Sequence, residues 1–271
     1  MPRRSRLDAE LVRRGLASSR EHASRLVADG RVTIRGVPAA KPATAVEIDA
    51  PLIIRDDPAD PGWASRGAHK LVGALEVFGP GGLTVAGKRC LDAGASTGGF
   101  TDVLLRAGAA EVVAADVGRG LLAWRLATDS RVVVHDRTNV RNLTPEDIGG
   151  PVDLVVADLS FISLRLVLPA LLACARPEAD LVPMVKPQFE VGKERLGSGG
   201  VVRDPELRVR AVLDVLTNAA DLGLCVRGVT ASPLPGPSGN VEYFAWLRRG
   251  EHTDPGLVDE QVRAAVGEGP R

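Results

Sequence analysis

The chain has 271 residues, 45% of them hydrophobic and 25% charged, which excludes a wholly disordered protein and allows a sizeable buried core. At this length we expect one large domain that carries a small one. The formal net charge is +0, so the overall balance says nothing about a nucleic-acid partner. The longest apolar run, residues 166–175, is far shorter than the roughly 20 residues that span a bilayer, so we expect a cytoplasmic protein without a membrane partner.

The first 55 residues predict a small α+β domain. Apolar residues at helical spacing indicate one helix that ends at Gly15 and a second that ends at Gly30. Strand-like segments follow at residues 32–34 and 46–54. Residues 1–35 contain nine arginines and four acids, an excess that suits phosphate binding, although a solvated helix surface would show it too.

Residues 56–63, DDPADPGW, are rich in residue types that disfavour both helix and strand. We interpret residues 56–64 as a linker between a domain of residues 1–55 and a larger domain of residues 65–250. Residues 251–271 carry no recognisable pattern and are interpreted as a C-terminal tail.

From residue 65 onward, helical and strand-like segments alternate, which is typical of a parallel sheet with crossover helices. The last two strands are joined by residues 232–240 without a helix, so we expect an antiparallel pair at one edge. The predicted fold is therefore an α/β, Rossmann-like domain with a mostly parallel sheet, preceded by the small α+β domain. Ligands of such sheets bind beyond the carboxyl ends of the strands. The predicted strands cover residues 89–92, 111–116, 131–136, 152–158, 181–186, 226–231 and 243–247.

A glycine-rich turn follows the first of these strands, in the run CLDAGASTGGFTDVLL at residues 90–105. Gly94, Gly98 and Gly99 let the backbone turn sharply and approach a ligand where a Cβ would collide. The spacing is not G-x-G-x-x-G, so a dinucleotide-binding site is not supported. A D-x-G-x-x-x-G-G turn instead matches the first motif of S-adenosylmethionine-dependent methyltransferases.

Acidic residues end the next two predicted strands. Asp116 lies 24 residues after Asp92, close to the roughly 20-residue offset at which an acid meets the ribose hydroxyls of a cofactor. Asp136 is placed to accept a hydrogen bond from the adenine amino group. The alternative is that both are surface acids. The predicted cofactor-binding residues are Asp92, Gly94, Ser96, Gly98, Gly99, Asp116, Asp136 and Asp158.

Methyl transfer to a weakly acidic hydroxyl needs a group that removes the proton. Only five of the 34 basic side chains are lysine, and a desolvated lysine can lose its proton whereas arginine cannot. Lys186 ends the apolar strand VPMVK, where burial would desolvate it; a structural salt bridge is the alternative. In chain order, Lys70, Asp158, Lys186 and Glu242 match the K-D-K-E tetrad of ribose 2'-O-methyltransferases, and these are the predicted catalytic residues.

Other methylation chemistries fit less well. An amino-group methyltransferase would usually have Asn or Asp followed by Pro-Pro and an aromatic residue after the fourth strand, where this chain has ADLSF. Carbon methylation of a pyrimidine needs a nearby cysteine nucleophile, but Cys174 lies in an apolar, helical run. The three cysteines are not paired, and no metal site is predicted. Phe161 could stack on a flipped-out base, although core packing explains it equally well.

The chain resembles the TlyA-type ribosomal RNA methyltransferases, once called haemolysins, over nearly its whole length. The N-terminal run RLDAELVRRGLASSREHASRLVADGRVTIRG is similar to an RNA-binding domain of a small-subunit ribosomal protein. The remainder is similar to FtsJ-like methyltransferases in the glycine turn and in WASRGAHKL, ADVG, VDLVVADLSFISL, VKPQFEVG and PLPGPSGNVEYF.

This resemblance implies S-adenosylmethionine-dependent 2'-O-methylation of cytidines in the ribosomal RNA of small or large subunits or both. Sensitivity to cyclic-peptide antibiotics would be a consequence. A ribosome-assembly factor that binds RNA without catalysis is the alternative, whereas a pore-forming haemolysin would need apolar segments that the sequence lacks. The predicted RNA-binding residues are Arg4, Arg6, Arg14, Arg20, Lys41, Arg66 and Phe161.

Overall fold

The described part of the chain comprises residues 4–17, 20–55, 61–236, 238–251 and 253–270 in a computed structural model. The chain divides into two units, Met1–Ser65 (unit 1) and Arg66–Arg271 (unit 2). The predicted linker adjoins this division, and its residues 56–60 lie outside the described residues.

Unit 1 contains two short helices and short antiparallel strands. Its elements are β1 (Arg4–Arg6), α1 (Leu7–Arg13), α2 (Arg20–Ala28), β2 (Val32–Ile34), β3 (Val37–Pro38), β4 (Ala45–Glu47) and β5 (Leu52–Ile54). Strand β1 pairs with β4, while β3, β2 and β5 form a second sheet in that order. Apolar side chains from both helices pack against this framework, so the unit has a core of its own. That core includes Leu7, Leu11, Ala23, Leu26, Val27, Val32 and Val46.

The prediction of one strand over residues 46–54 is wrong. The segment forms β4 and β5, which belong to different sheets. A turn separates them, in which the Ala50 N–H donates to the Glu47 carbonyl oxygen at 3.0 Å. The next residue, Pro51, has no N–H to contribute to a continuous ladder, which explains why the strand stops.

Unit 2 alternates helices and strands, as its sequence predicts. Its strands are β6 (Arg89–Ala93), β7 (Glu111–Ala115), β8 (Val132–His135), β9 (Val152–Ala157), β10 (Ala175–Val185), β11 (Leu224–Ala231) and β12 (Tyr243–Arg249). Its helices are α3 (Gly67–Phe78), α4 (Gly99–Arg106), α5 (Trp124–Ala127), α6 (Leu168–Ala173), α7 (Pro187–Glu190), α8 (Pro205–Asp221) and α9 (Pro255–Glu268).

The strands of unit 2 form one sheet in the order β11-β12-β10-β9-β6-β7-β8. Strands β8, β7, β6, β9 and β10 are parallel, and β12 runs antiparallel to both of its neighbours, β10 and β11. The predicted Rossmann-like sheet with an antiparallel pair at one edge is therefore confirmed. Among the described residues, no helix combines the length and apolar character needed to cross a membrane.

The strand order reverses at β6. The chain proceeds from β6 to β7 on one side, whereas β9 and β10 lie on the other side. Central strands such as β6 and β9 are almost entirely buried, as expected when helices cover both faces of a parallel sheet. The crevice beyond the carboxyl ends of β6 and β9 is the place where open α/β sheets bind ligands.

The C-terminal residues 255–268 form helix α9, which packs against α8 and β11. The helix begins after Asp254, whose carboxylate accepts a hydrogen bond from the Gly256 N–H at 2.7 Å. Val258, Val262 and Ala265 are buried in the same core cluster as the sheet. These residues therefore belong to the fold of unit 2.

We expect Val262→Ala to lower the free energy of unfolding by about 2 kcal/mol, because the Val262 side chain is fully buried and its truncation leaves a cavity. Leu257→Ala is the matched control on the same helix, since Leu257 is 55% exposed, and it should change stability by less than about 0.5 kcal/mol. Denaturant unfolding measures both values. Equal effects of the two substitutions would contradict the docking of α9.

Candidate active site

The loops after β6 and β9 lie side by side because the two strands are hydrogen-bonded neighbours. The Asp158 N–H donates to the Ala93 carbonyl oxygen at 3.0 Å, so the loops begin in contact. Gly94 follows Ala93 with φ 88°, and a Cβ at this position would lie 2.6 Å from the Asp158 carbonyl oxygen. Glycine is therefore required by both the backbone conformation and the close approach.

Acids at the ends of β7 and β8 hold the neighbouring turns. The Asp116 carboxylate accepts hydrogen bonds from the Ser96 N–H at 2.8 Å and from the Gly118 N–H at 2.7 Å. Asp136 accepts one from the Gly120 N–H at 2.9 Å. Each carboxylate oxygen can accept more than one hydrogen bond, so both acids can still serve a ligand at this edge.

Asp92 lies at the end of β6 and is fully buried. The Thr101 hydroxyl donates to its Oδ2 atom at 2.6 Å, but its Oδ1 atom is buried without a hydrogen-bond partner. The pKa of Asp92 is raised to about 7: burial is the largest cause, the carboxylates of Asp158 and Asp116 act in the same direction, and the Thr101 hydrogen bond opposes them. An unpartnered acceptor next to the glycine turn is a position where a ligand's hydrogen-bond donor would be satisfied.

The four predicted catalytic residues form one connected network of charges. The Lys186 Nζ atom lies 2.5 Å from Asp158 Oδ1, and the Lys70 Nζ atom lies 2.5 Å from Glu242 Oε2. The two pairs are joined because Lys70 Nζ is also 4.0 Å from Asp158 Oδ2. Three of the four side chains are nearly inaccessible to water, while Asp158 is 23% exposed. Charges therefore alternate in the order Lys186, Asp158, Lys70, Glu242.

Sheet topology explains how residues so far apart in sequence meet. Asp158 and Lys186 follow the parallel strands β9 and β10, so both lie at the carboxyl edge of the sheet. Glu242 precedes β12, which is antiparallel, and Tyr243 pairs with Val185 at the end of β10. The start of an antiparallel strand lies at the carboxyl edge of its parallel neighbours. Lys70 reaches the group from α3.

A cavity of about 730 Å³ opens next to this network. Its lining includes Lys186, Glu242, Gln188, Phe161 and Phe189. The Phe161 ring is 91% exposed, and its only ring contact among the described residues is Phe189, with centroids 5.3 Å apart. Core packing therefore does not explain Phe161, which presents its face at a site large enough for a nucleotide.

Sequence reasoning missed three polar residues around the network. Ser160 accepts a hydrogen bond from Lys186 Nζ at 3.2 Å, and the Gln188 amide nitrogen donates to Glu242 at 3.3 Å. Glu190 is buried and bonds to the loop after β9. A sequence signal was available, because Gln188 and Glu190 stand two and four residues after Lys186 in the run KPQFE.

The predicted RNA-binding arginines of unit 1 differ in their surroundings. Arg6 and Arg20 both form ion pairs with the buried Asp8, at 2.8 and 3.0 Å. Arg14 bonds to the buried Glu10 at 2.7 Å and to the Ala50 carbonyl oxygen at 2.7 Å. Its guanidinium is thus anchored within unit 1, and contact with a phosphate would have to compete with these bonds. This internal role of Arg14 was not expected from the sequence.

The other predicted RNA contacts are more accessible. Arg4 and Lys41 are exposed on unit 1, whereas Arg66 is half-buried directly before α3 in unit 2. Phosphate binding by exposed arginine and lysine needs little rearrangement of the protein. These positions stay predictions.

Known proteins share both units of this chain. Residues 63–249 match the model of the family described as FtsJ-like methyltransferase, and residues 5–50 match the S4 domain. The chain is 63% identical to a Mycobacterium tuberculosis protein named 16S/23S rRNA (cytidine-2'-O)-methyltransferase TlyA, with 100% of both chains covered. The chain belongs to the TlyA family of FtsJ-like methyltransferases.

Two further proteins are similar in sequence or structure. The chain is 39% identical to a Bacillus subtilis protein named putative rRNA methyltransferase YqxC, covering 98% of this chain and 94% of the relative. A solved structure titled putative hemolysin from Streptococcus thermophilus is 37% identical, with a TM-score of 0.76 over 99% of this chain and 97% of that one. The predicted family, fold class and enzyme class are therefore confirmed.

The raised pKa of Asp92 predicts a pH-dependent stability. Because the folded state binds this proton more tightly than the unfolded chain, the Asp92 carboxyl lowers stability progressively as the pH rises from about 4 to about 7. Asp92→Asn removes this titration. The free energy of unfolding of the variant minus that of the wild type should therefore increase with pH, by up to about 1.4 kcal/mol per pH unit in this window. Denaturant unfolding without cofactor at several pH values measures the difference, and a constant difference would contradict the prediction.

Proposed function

We propose that this protein transfers a methyl group from S-adenosylmethionine to the ribose 2'-hydroxyl of cytidines in the ribosomal RNA of assembled subunits. The observation that carries the proposal is the Lys186–Asp158–Lys70–Glu242 network, which lies at the wall of a nucleotide-sized cavity. The name of the Mycobacterium tuberculosis relative supports cytidine in 16S and 23S rRNA as the substrate. One or both subunits then serve as partners in the cytoplasm.

The residues at the carboxyl edge fit S-adenosylmethionine. The unpartnered Oδ1 atom of Asp92 suits a donor such as an amino group, and Asp116 and Asp136 suit the ribose hydroxyls and the adenine amine. The glycine turn, residues 94–99, follows β6 directly, so its backbone lies at the same edge of the sheet as these acids. When bound, the cofactor supplies a methyl group activated for displacement by its positive sulfur.

We propose that Lys186 removes the 2'-hydroxyl proton. Lys70 has two carboxylates within 4.0 Å, whereas Lys186 has one carboxylate and the neutral Ser160 hydroxyl. Lys186 is therefore the less strongly paired ammonium and the better candidate to act in its neutral form. It also lines the cavity, so its Nζ atom can accept the proton of a ribose 2'-hydroxyl that is bound there.

The other three network residues keep this amine in place. Asp158 bonds to Lys186 directly, and Lys70 and Glu242 fix Asp158 and one another. A proton acceptor held within a rigid network needs little reorganisation when the substrate arrives. Asp158 thus positions the Lys186 amine and, because it follows β9, also lies next to the glycine turn.

Phe161 is proposed to stack on the target base. Enzymes that act on paired nucleic acid can extrude the target nucleotide from the helix, and exposed aromatic rings hold extruded bases by stacking. The ring of Phe161 is exposed beside the network and is backed by Phe189. Unit 1 would add affinity for ribosomal RNA through its S4 domain, in which Lys41 is exposed and which the exposed Arg4 directly precedes.

Lys186→Arg and Lys186→Ala should both abolish methyl incorporation into isolated ribosomal subunits, with losses of about 100-fold or more, because arginine keeps the charge but cannot accept a proton. Incorporation from radiolabelled S-adenosylmethionine measures the activity. Lys88→Arg is the matched control, since Lys88 forms a structural ion pair with Asp180 at 2.8 Å that arginine can replace.

An active Lys186→Arg enzyme would show that position 186 contributes only positive charge. Lack of incorporation by the wild-type protein into any subunit would instead favour a binding factor without catalysis. Mapping the modified nucleotide identifies the base, and a product other than 2'-O-methylcytidine would contradict the proposed substrate.

Phe161→Ala should reduce the turnover rate by about tenfold or more while the dissociation constant for S-adenosylmethionine stays unchanged, because stacking contributes to placing the base and not the cofactor. Phe161→Tyr keeps the ring and should retain activity. Single-turnover kinetics with ribosomal subunits and calorimetric titration of the cofactor give the two readouts. An unaltered rate in Phe161→Ala would eliminate the stacking role.

A further inference from the structure

The loop that carries Phe161 is anchored at both ends to the segment that follows β10. At one end, Ser160 accepts a hydrogen bond from Lys186. At the other end, the Glu190 carboxylate accepts hydrogen bonds from the Ser163 hydroxyl at 2.5 Å and from the Leu164 N–H at 2.7 Å. The loop between β9 and the next helical turn is therefore tied twice to the short segment 186–190.

Glu190 is well suited to act as an anchor. Its side chain is only 1% exposed, and its two oxygens accept from different donors, so each contact is screened little by water. Arg165 Nε lies 3.5 Å away and adds an opposite charge. Burial raises the pKa of Glu190, and the hydrogen bonds from Ser163 and Leu164 oppose that effect. Neither the cofactor turn nor the charge network uses this carboxylate.

The backbone of Phe161 explains why an anchor is needed. Phe161 has φ 63°, a left-handed conformation that a phenylalanine keeps only where its surroundings enforce it. Its ring is 91% exposed, so side-chain burial contributes little to holding it. Hydrogen bonds on either side of Phe161 are then the main restraint on its orientation.

We propose that Glu190 is a positioning residue that holds the loop 160–164 so that Phe161 is ready to receive the target base. The role rests on the proposed function of Phe161. Preorganising an aromatic ring before the RNA arrives lowers the ordering cost of binding, so loss of the anchor should weaken the productive placement of the nucleotide. The proposed cofactor contacts after β6, β7 and β8 lie in other loops, so cofactor affinity should be unaffected.

The first test measures the mobility of the loop without RNA. Chymotrypsin cuts after exposed phenylalanines in segments that open locally, and cleavage after Phe161 can be followed by mass spectrometry. Glu190→Ala should increase the rate of this cleavage by about tenfold, because both anchoring hydrogen bonds are lost. Glu190→Gln should restore a rate near that of the wild type, because the amide can accept from Leu164 and donate to Ser163.

Asp147→Ala is the matched control for this experiment. The Asp147 carboxylate also accepts from a hydroxyl and a backbone N–H, those of Thr144, each at 3.0 Å, but in a different loop. It should leave cleavage after Phe161 unchanged. If Glu190→Ala does not fold, Ser163→Ala removes one anchoring bond and should raise the cleavage rate in the same direction.

The second test is a double-mutant cycle on methylation of ribosomal subunits. If Glu190 acts through Phe161, Glu190→Ala should slow turnover in the wild-type background and add less than about a twofold loss in the Phe161→Ala background. Cofactor affinity should be unchanged in every variant. A purely structural role would instead multiply the two losses and weaken cofactor binding too.

Equal rates of cleavage after Phe161 in the wild type and Glu190→Ala would overturn the proposal, as would multiplied losses in the cycle. Wild-type protein that methylates no ribosomal subunit would refute the proposed function, but the cleavage rates would still decide whether Glu190 holds the loop.

Discussion

Mutual neutralisation of two lysines and two carboxylates is the constraint on which the carboxyl edge of unit 2 depends. Lys186, Asp158, Lys70 and Glu242 alternate in sign and lie largely out of contact with water. Breaking such a set by removing one member leaves an unpaired buried charge, at a cost of about 3–5 kcal/mol. With all four ionised the set is neutral, and loss of one proton gives it a net negative charge. A nearby positive charge would stabilise that state, and the sulfonium of the proposed cofactor has the required sign.

The sheet delivers these groups to one place without any of them being close in sequence. The strand order reverses at β6, which opens a crevice between the loops after β6 and β9. Strand β12 lies between β10 and β11 and runs antiparallel to them, so the first residues of β12 lie at the same edge of the sheet. Glu242 depends on that inversion, because a parallel strand in this position would place the residue before it at the opposite edge. The antiparallel pair at the end of the sheet thus contributes to the candidate active site as well as to the fold.

Strand positions and the four network residues could be predicted from the sequence because both depend on local patterns. Apolar runs mark the buried strands, and polar residues such as Asp158 and Lys186 mark their ends. What could not be predicted depends on contacts between distant segments. Arg14 looked like a phosphate ligand, but Glu10 and the carbonyl oxygens of a later turn bind it. The proximity of Glu190 to Lys186 in sequence could have marked it as a candidate, but its role as an anchor could not be predicted, since its partners lie 26 and 27 residues earlier in the chain.

In unit 2, the described residues other than glycine with unusual backbone conformations lie at the carboxyl edge of the sheet, where the candidate active site is found. In its described part, the residues other than glycine with positive φ are Ser96, Arg137 and Phe161, and they follow β6, β8 and β9 respectively, at the carboxyl edge. The unpartnered oxygen of Asp92 belongs to the same edge. Strain and an unsatisfied polar atom both lower stability, and the rigid sheet beneath tolerates them because its core is extensive. A site that the scaffold already holds in the conformation needed for binding rearranges less when a ligand arrives. The strained residues and the unpartnered oxygen that lower the stability of the ligand-free protein therefore favour ligand binding.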